Sequence, residues 1–396
     1  MPKSVWLLVI GMFLNTTGNS FLWPLNTIYM HDHLGKSLSI AGLVLMINAG
    51  AGVLGNLIGG YLFDKIGGYY SIMTGIVITL LALTGMAIWH GWPHYVWFLT
   101  ITGFSIGIVM PSMFAMVGAV WPEGGRKAFN AIYLASNLGV AVGPALAGPI
   151  AAISFDFLFI SNLLLYIAFF LLAVIGYRKM DSKVQKDKTE AIEQVEVKNK
   201  APFYALLIVC SGYLLTWIAY SQWPTTLSTH IQGMGISLNQ YSLLWTINGL
   251  LIITLQPIIS PIIRRFEKQI KGQLVFGVIV MMLSFIVIIF ADSFKIFAFA
   301  MVILTLGEIF VFPAVPTIAN EIAPNGKNGS YQGVVNSVSA IGRMIGPFFG
   351  GVIVDLYNME VLIWILCSFF IIAIVPCLVF DRPIRKTQLE KDNYDA

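Results

Sequence analysis

Residues 139–148 read GVAVGPALAG, and residues 342–351 read GRMIGPFFGG. Each stretch sets glycines four apart, then a proline, inside a long apolar run. They lie 203 positions apart in a chain of 396. Other pairs keep nearly that spacing: Trp23-Pro24 with Trp223-Pro224, Ser37 with Ser237, and Ile47-Asn48 with Ile247-Asn248. Pro111 and Pro122 recur as Pro313 and Pro324. An ordered series at offsets of 200 to 203 is an internal duplication, with each half one structural repeat.

Composition names the solvent of those halves. Hydrophobic residues make up 57% and charged residues 11%, against roughly 25% charged in an ordinary globular domain. A chain so poor in charge cannot cover a water-facing surface, so most of it faces lipid. The same numbers exclude disorder. Cys210, Cys367 and Cys377 all fall inside apolar runs and read as small packing residues rather than a disulfide frame. The net charge of +4 is spread over short loops, which argues against nucleic acid and for a membrane topology signal. The first apolar run outlasts a cleaved signal peptide and has no A-x-A-like site.

A spanning helix takes about 20 apolar residues. Twelve such spans are expected, at 5–30, 39–63, 70–90, 94–117, 127–153, 157–176, 203–229, 238–263, 272–291, 294–318, 329–354 and 360–380. The expected fold is all-α and integral to the membrane, with two six-helix pseudo-symmetric bundles at 1–176 and 202–381. A charged linker at 177–201 joins them, and a tail at 382–396 follows. With the N-terminus inside, 20 of the 23 Lys and Arg fall in inner segments. Only Lys36 and Lys295 fall in outer loops, and Arg343 lies within a span. That asymmetry places both termini in the cytoplasm. Parallel repeats of this kind build transporters whose substrate site lies between the halves.

The loop after the second span reads Gly60-Tyr-Leu-Phe-Asp64-Lys65-Ile-Gly67-Gly68. Glycine lets the helix end approach a neighbour, and Asp64 can accept from N–H groups at a nearby helix start. This stretch resembles the loop 2–3 signature of the major facilitator superfamily, G-x-x-x-D-[RK]-x-G. That family follows the signature with two basic residues, where this chain has Gly68 and Tyr69. The resemblance implies the major facilitator fold and a gate built on Gly60, Asp64, Lys65 and Gly67.

The fifth span carries Gly139, Gly143, Pro144 and Gly148; the eleventh carries Gly333, Gly342, Gly346, Pro347, Gly350 and Gly351. Small residues four apart allow close helix contact, and proline allows a bend. The pattern resembles the family's antiporter signature, G-x8-G-x3-G-P-x2-G-G. That signature belongs in the fifth span, whereas the full form here lies in the eleventh.

Glu308 lies about 14 residues into the tenth span, near the bilayer midplane. A central charge costs about 2.5–3.5 kcal/mol on insertion scales, so such a carboxylate binds a proton or finds a partner. Thr305-Leu-Gly-Glu308, with Gly329-Ser-Tyr331-x-Gly333, resembles bacterial proton-coupled multidrug exporters. In those, an acid at this place joins proton coupling to substrate contact. Three roles stay open for Arg343: pairing with Glu308, contacting an anionic substrate, or balancing a helix end. Asn15, Asn19, Asn48, Asn248 and Gln256 face a cavity or another helix, because lipid cannot satisfy them. Trp217 and Trp223, with Trp23, Tyr213, Tyr220 and Trp245, are candidates for an aromatic wall. The five histidines, His31, His33, His90, His94 and His230, are not assigned to a metal site.

No phosphate-binding loop or catalytic triad is visible, so an enzyme is not expected. The resemblance implies a monomeric carrier in the bacterial plasma membrane. It would export small hydrophobic or cationic organic compounds in exchange for protons, with no cofactor beyond the proton gradient. Export of an endogenous sugar, amino acid, peptide or lipid is the alternative reading. A non-transporting membrane sensor is the remote one. For topology, a cysteine placed within 177–201 is expected to react with impermeant thiol reagents only after cells are opened. Labelling in intact cells would refute the orientation.

Overall fold

The computed structural model describes residues 1–23, 25–26, 29–36, 38–178, 180, 200–265 and 269–387. Most of the expected 177–201 linker, the repeat positions Pro24 and Ser37, and the end of the 382–396 tail lie outside them. The described chain is helical. In order come α1 (Lys3–Leu22), a π-helical turn (Tyr29–His33), α2 (Leu38–Ile66), α3 (Gly68–Ile88), α4 (His94–Val120), α5 (Arg126–Ile153) and α6 (Phe155–Gly176). Then follow α7 (Ala201–Tyr220), α8 (Thr226–Gly233), α9 (Leu238–Arg265), α10 (Ile270–Ile289), α11 (Phe294–Val311), α12 (Ala314–Ile322), α13 (Asn328–Leu356) and α14 (Met359–Val379). Lipid offers no hydrogen bonds, so a helix, which satisfies its own backbone, is the one local structure these runs can take. Eleven spans among the described residues are long and apolar enough to cross a membrane. In α9, the shorter stretch Leu243–Gln256 marks the remaining expected span.

Two expected spans are interrupted. The seventh divides into α7 and α8, and the tenth into α11 and α12. Each break falls at a repeated proline, Pro224 and Pro313, whose missing N–H cannot continue the ladder. At the second break, the Phe312 N–H still donates to Glu308 O at 3.0 Å, and the Thr317 hydroxyl donates to Pro313 O at 2.8 Å. Glu308 therefore sits in the last closed turn of α11.

The chain forms two compact units, Met1–Glu196 with Ala323–Ala340, and Val197–Ile322 with Ile341–Ala396. In the first unit α4 packs on α2 and α3, and α1 packs on α5 and α6. Buried hydroxyl pairs tie α3 to α4: Ser71 to Ser112 at 2.7 Å and Thr79 to Ser105 at 2.7 Å. Asn48 donates to Leu99 O at 2.6 Å, which joins α2 to α4. Gly67 has φ +90°, a left-handed turn that glycine adopts without a Cβ penalty, so one residue suffices between α2 and α3. In the same unit His90 Nε2 lies 2.8 Å from Asp156 while Nδ1 lies 2.6 Å from the Tyr29 hydroxyl. His33 stacks on Tyr29.

In the second unit α10 packs on α11 and α14, α7 on α14, and α9 on α11. The glycine stripes are contact faces in both units. A Cβ on Gly143 would lie 2.8 Å from Thr17 O, and one on Gly139 would lie 2.8 Å from Phe13 O, both on α1. A Cβ on Gly346 would lie 3.0 Å from Ile218 O and collide with the Ser221 hydroxyl; one on Gly342 would lie 2.5 Å from Trp217 Cβ. Gly350 would strike Gln222. By contrast, nothing among the described residues approaches Gly148 or Gly351. The packing stripe is thus shorter by one glycine in each repeat than the motif suggested.

Backbone contact this close cannot relax around a large side chain. Gly346→Leu is expected to lower the melting temperature in detergent by several degrees and to reduce transport at normal membrane insertion. Gly351→Leu, facing open space, is expected to change neither by much. Equal behaviour of the two variants would show that Gly346 is not at a contact.

Candidate functional site

Two polar side chains inside the second unit, Asn248 and Tyr220, converge on Glu308. It is 2% exposed on α11. Asn248 of α9 donates from Nδ2 to Glu308 Oε2 at 2.8 Å and to the Thr305 hydroxyl at 2.9 Å. Both amide hydrogens of Asn248 are thereby used. The Tyr220 hydroxyl, at the end of α7, reaches Glu308 Oε1 at 3.4 Å. Thr305 passes its own hydrogen to Met301 O at 2.8 Å. Three helices thus meet on one carboxyl group through neutral donors.

Beside it stands a set of stacked rings. Trp217 of α7 lies parallel to Phe312, with centroids 4.4 Å apart and planes 2° apart. Tyr220 meets both edge-on, at 5.3 Å and 5.1 Å. Tyr213 does likewise at 6.0 Å and 6.1 Å. Trp245 of α9 contacts Tyr220 at 6.4 Å and donates its N–H to the Tyr241 hydroxyl at 2.9 Å. The Arg343 guanidinium of α13 lies 4.7 Å from the Trp217 ring centroid, a cation–π contact. The three ion pairs among the described residues are His90–Asp156, Lys271–Asp381 and Arg385–Asp381. Of the three roles open for Arg343, pairing with Glu308 is therefore not the one taken here.

The other expected site residues are spread more widely. Asn15 is buried in the first unit, where it donates to Met110 Sδ at 3.4 Å and its side-chain oxygen accepts from the Tyr166 hydroxyl at 3.2 Å. It joins helices. Asn19 is exposed on α1. Asn48, the repeat counterpart of Asn248, bonds a backbone carbonyl, that of Leu99, where Asn248 bonds a carboxyl group. Gln256 is buried on α9. Trp223 is fully buried, with its carbonyl accepting from Tyr241 at 2.9 Å, so it fills the interior of its unit rather than lining open space. Phe312 was missed by the sequence reading. A signal existed: it precedes the repeated proline Pro313, as Met110 precedes Pro111, and both touch the first helix of their repeat.

Asp64 closes a second polar site, in the first unit. Its Oδ1 accepts from the Gly329 N–H at 2.8 Å and its Oδ2 from the Ser330 N–H at 2.8 Å, with the Ser330 hydroxyl also donating. The carboxylate sits on the N-terminus of α13, where the helix dipole favours negative charge. Gly333 makes room, since a Cβ there would lie 2.6 Å from Asn56 O. A Cβ on Gly60 would lie 2.8 Å from the Gly329 carbonyl carbon. Lys65 places its ammonium 5.6 Å from the Tyr61 ring centroid.

A fold of apolar spanning helices with a carboxyl group buried among neutral donors defines a membrane carrier. The chain belongs to the Major Facilitator Superfamily, whose family model matches residues 8–347 and 236–393. It is 53% identical over 388 residues to the uncharacterized MFS-type transporter YttB of Bacillus subtilis, covering 98% of each chain. It is 24% identical over 375 residues to the quinolone resistance protein NorA of Staphylococcus aureus, covering 90% of this chain and 91% of that one. In fold it resembles the human organic anion transporter MFSD10, with a TM-score of 0.77 over 95% of this chain at 14% identity.

Removal of the Asn248 amide takes one buried donor from Glu308 and one from the Thr305 hydroxyl. Loss of such a donor costs about 1–3 kcal/mol. Asn248→Leu is expected to destabilise the protein by that order in detergent melts, whereas Asn48→Leu is expected to cost less. Identical melts for wild type and Asn248→Leu would show that the Asn248–Glu308 bond is not formed in solution.

Proposed function

We propose that the protein is a proton-coupled antiporter that exports small, largely apolar organic compounds across the bacterial plasma membrane by alternating access. Glu308 carries the proton. One observation bears most of the weight: a carboxyl group 2% exposed inside an apolar span, held by Asn248 and Tyr220. Protonation removes the charge that these donors stabilise, so proton binding is coupled to the hold of α7 and α9 on α11. The break at Phe312–Pro313, one turn away, gives that change a place to act. The 24% likeness to a resistance protein named for quinolones supports an outward direction. The 20-to-2 distribution of basic residues supports cytoplasmic termini. In this reading the two six-helix repeats are the moving bodies, the carrier works as a monomer, and the proton gradient is its only energy source.

The energetics suit one titrating group. An entering proton gains about 2.3 kcal/mol per 100 mV, and one pH unit adds about 1.4 kcal/mol. Together they hold a gradient of several hundred-fold for a neutral compound. Glu308→Gln keeps the shape and charge of the protonated acid. It is expected to bind and equilibrate neutral compounds while losing uphill export. Energised cells carrying it should accumulate a fluorescent substrate to the level of cells without the carrier. Uphill pumping at the original rate would place the coupling group elsewhere.

A further inference from the structure

We propose that Arg343 is the recognition group for a carboxylate, and that the compound carried is a small monoanion with a flat apolar body. This rests on the carrier reading above. Arg343 lies 15 residues after the start of α13 and 13 before its end, well inside a spanning helix. Its side chain is nonetheless exposed. A guanidinium is charged at every physiological pH and carries five N–H donors. Against lipid such a group is intolerable, so it faces water or a ligand.

None of those donors finds a protein acceptor among the described residues, and no carboxylate lies within ion-pair distance. What holds the group is the Trp217 ring at 4.7 Å, backed in turn by Phe312 at 4.4 Å. An aromatic support fixes a guanidinium without consuming its hydrogen bonds. The edge that remains presents a fork of N–H groups matched to a planar carboxylate. Half-buried Trp217, Tyr220 and Trp245 offer an apolar flank for the rest of such a molecule.

Glu308 and Arg343 are not equivalent to an arriving ligand. Glu308 is 2% exposed and already receives Asn248 and Tyr220, whereas Arg343 is exposed and receives nothing. An organic cation would meet the positive group first. Charge movement favours the same choice. One proton entering while a monoanion leaves moves two positive charges inward. A neutral compound gives one, and a monovalent cation none.

The test uses three probes of nearly one shape: 1-naphthoate, 1-naphthamide and 1-naphthylmethylammonium, bound to the full-length protein in detergent. Naphthoate is expected to bind at least tenfold more tightly than naphthamide, and the cation most weakly. Arg343→Gln should remove the preference, and its melting curve in detergent reports whether the variant is folded. Arg343→Lys, which keeps charge but not the fork, should lose several-fold for naphthoate alone, and decides the matter if the glutamine variant does not fold. No naphthoate binding, equal affinities, a preference for the cation, or a preference that survives Arg343→Gln each overturns the proposal. In proteoliposomes the naphthoate gradient should respond to membrane potential with twice the slope of naphthamide. If naphthoate binds through Arg343 but no imposed gradient drives it, the antiport reading fails and the site stands. If Glu308→Gln abolishes uphill export while naphthoate shows no preference, the site fails and antiport stands.

Discussion

Everything in this molecule follows from one rule of the lipid solvent: a polar group inside the bilayer must find its partner within the protein. Backbone groups obey it by forming helices. Side chains obey it by reaching across helix contacts, as Ser71 does to Ser112 and Asn48 to the Leu99 carbonyl. Asn15 is satisfied by Tyr166 and Met110. Against that background two groups stand out, and they are the ones to which the proposed function is assigned. Glu308 is a buried carboxyl group held by neutral donors, the proton carrier of the proposed exchange. Arg343 lies over a tryptophan face, with no ion-pair partner among the described residues.

Close packing is the means by which the helices come near enough to meet these demands. Glycine at 139, 143, 342 and 346 lets α5 and α13 lie against α1 and α7 at backbone distance. Without a hydrophobic drive between helices in lipid, such contact supplies van der Waals energy. The repeats use one scaffold for different ends. At the shared position, Asn48 locks α2 to α4 while Asn248 serves a carboxyl group. Before the shared proline, Met110 accepts from Asn15 while Phe312 stacks on Trp217.

Proline and aspartate add punctuation of a different kind. Pro224 and Pro313 stop helices within expected spans because each removes a backbone donor. Asp64 begins α13 by taking the N–H groups of Gly329 and Ser330, so a loop motif defined by one helix end works on the start of another. That helix begins in one compact unit and ends in the other.

Much of this was legible in the sequence, for a physical reason. Hydropathy is a local property, so the membrane class, the spans and the duplication could be read from residues in order. A carboxylate within an apolar run, Glu308, announced itself by its cost. The GxxxG stripe and the Gly60–Gly67 loop were visible because small residues at fixed spacing have few other uses. Partnership was not legible, because it depends on which faces of distant helices meet. The sequence left Arg343 three roles, a mate for Glu308 among them, since opposite charges attract. Only the fold set Asn248 and Tyr220 on that carboxyl, laid Arg343 over Trp217, buried Trp223 and brought Phe312 into the stack. Those outcomes are fixed by helix rotation and the bend at Pro313, which sum small packing preferences over many residues and leave no mark at any single one.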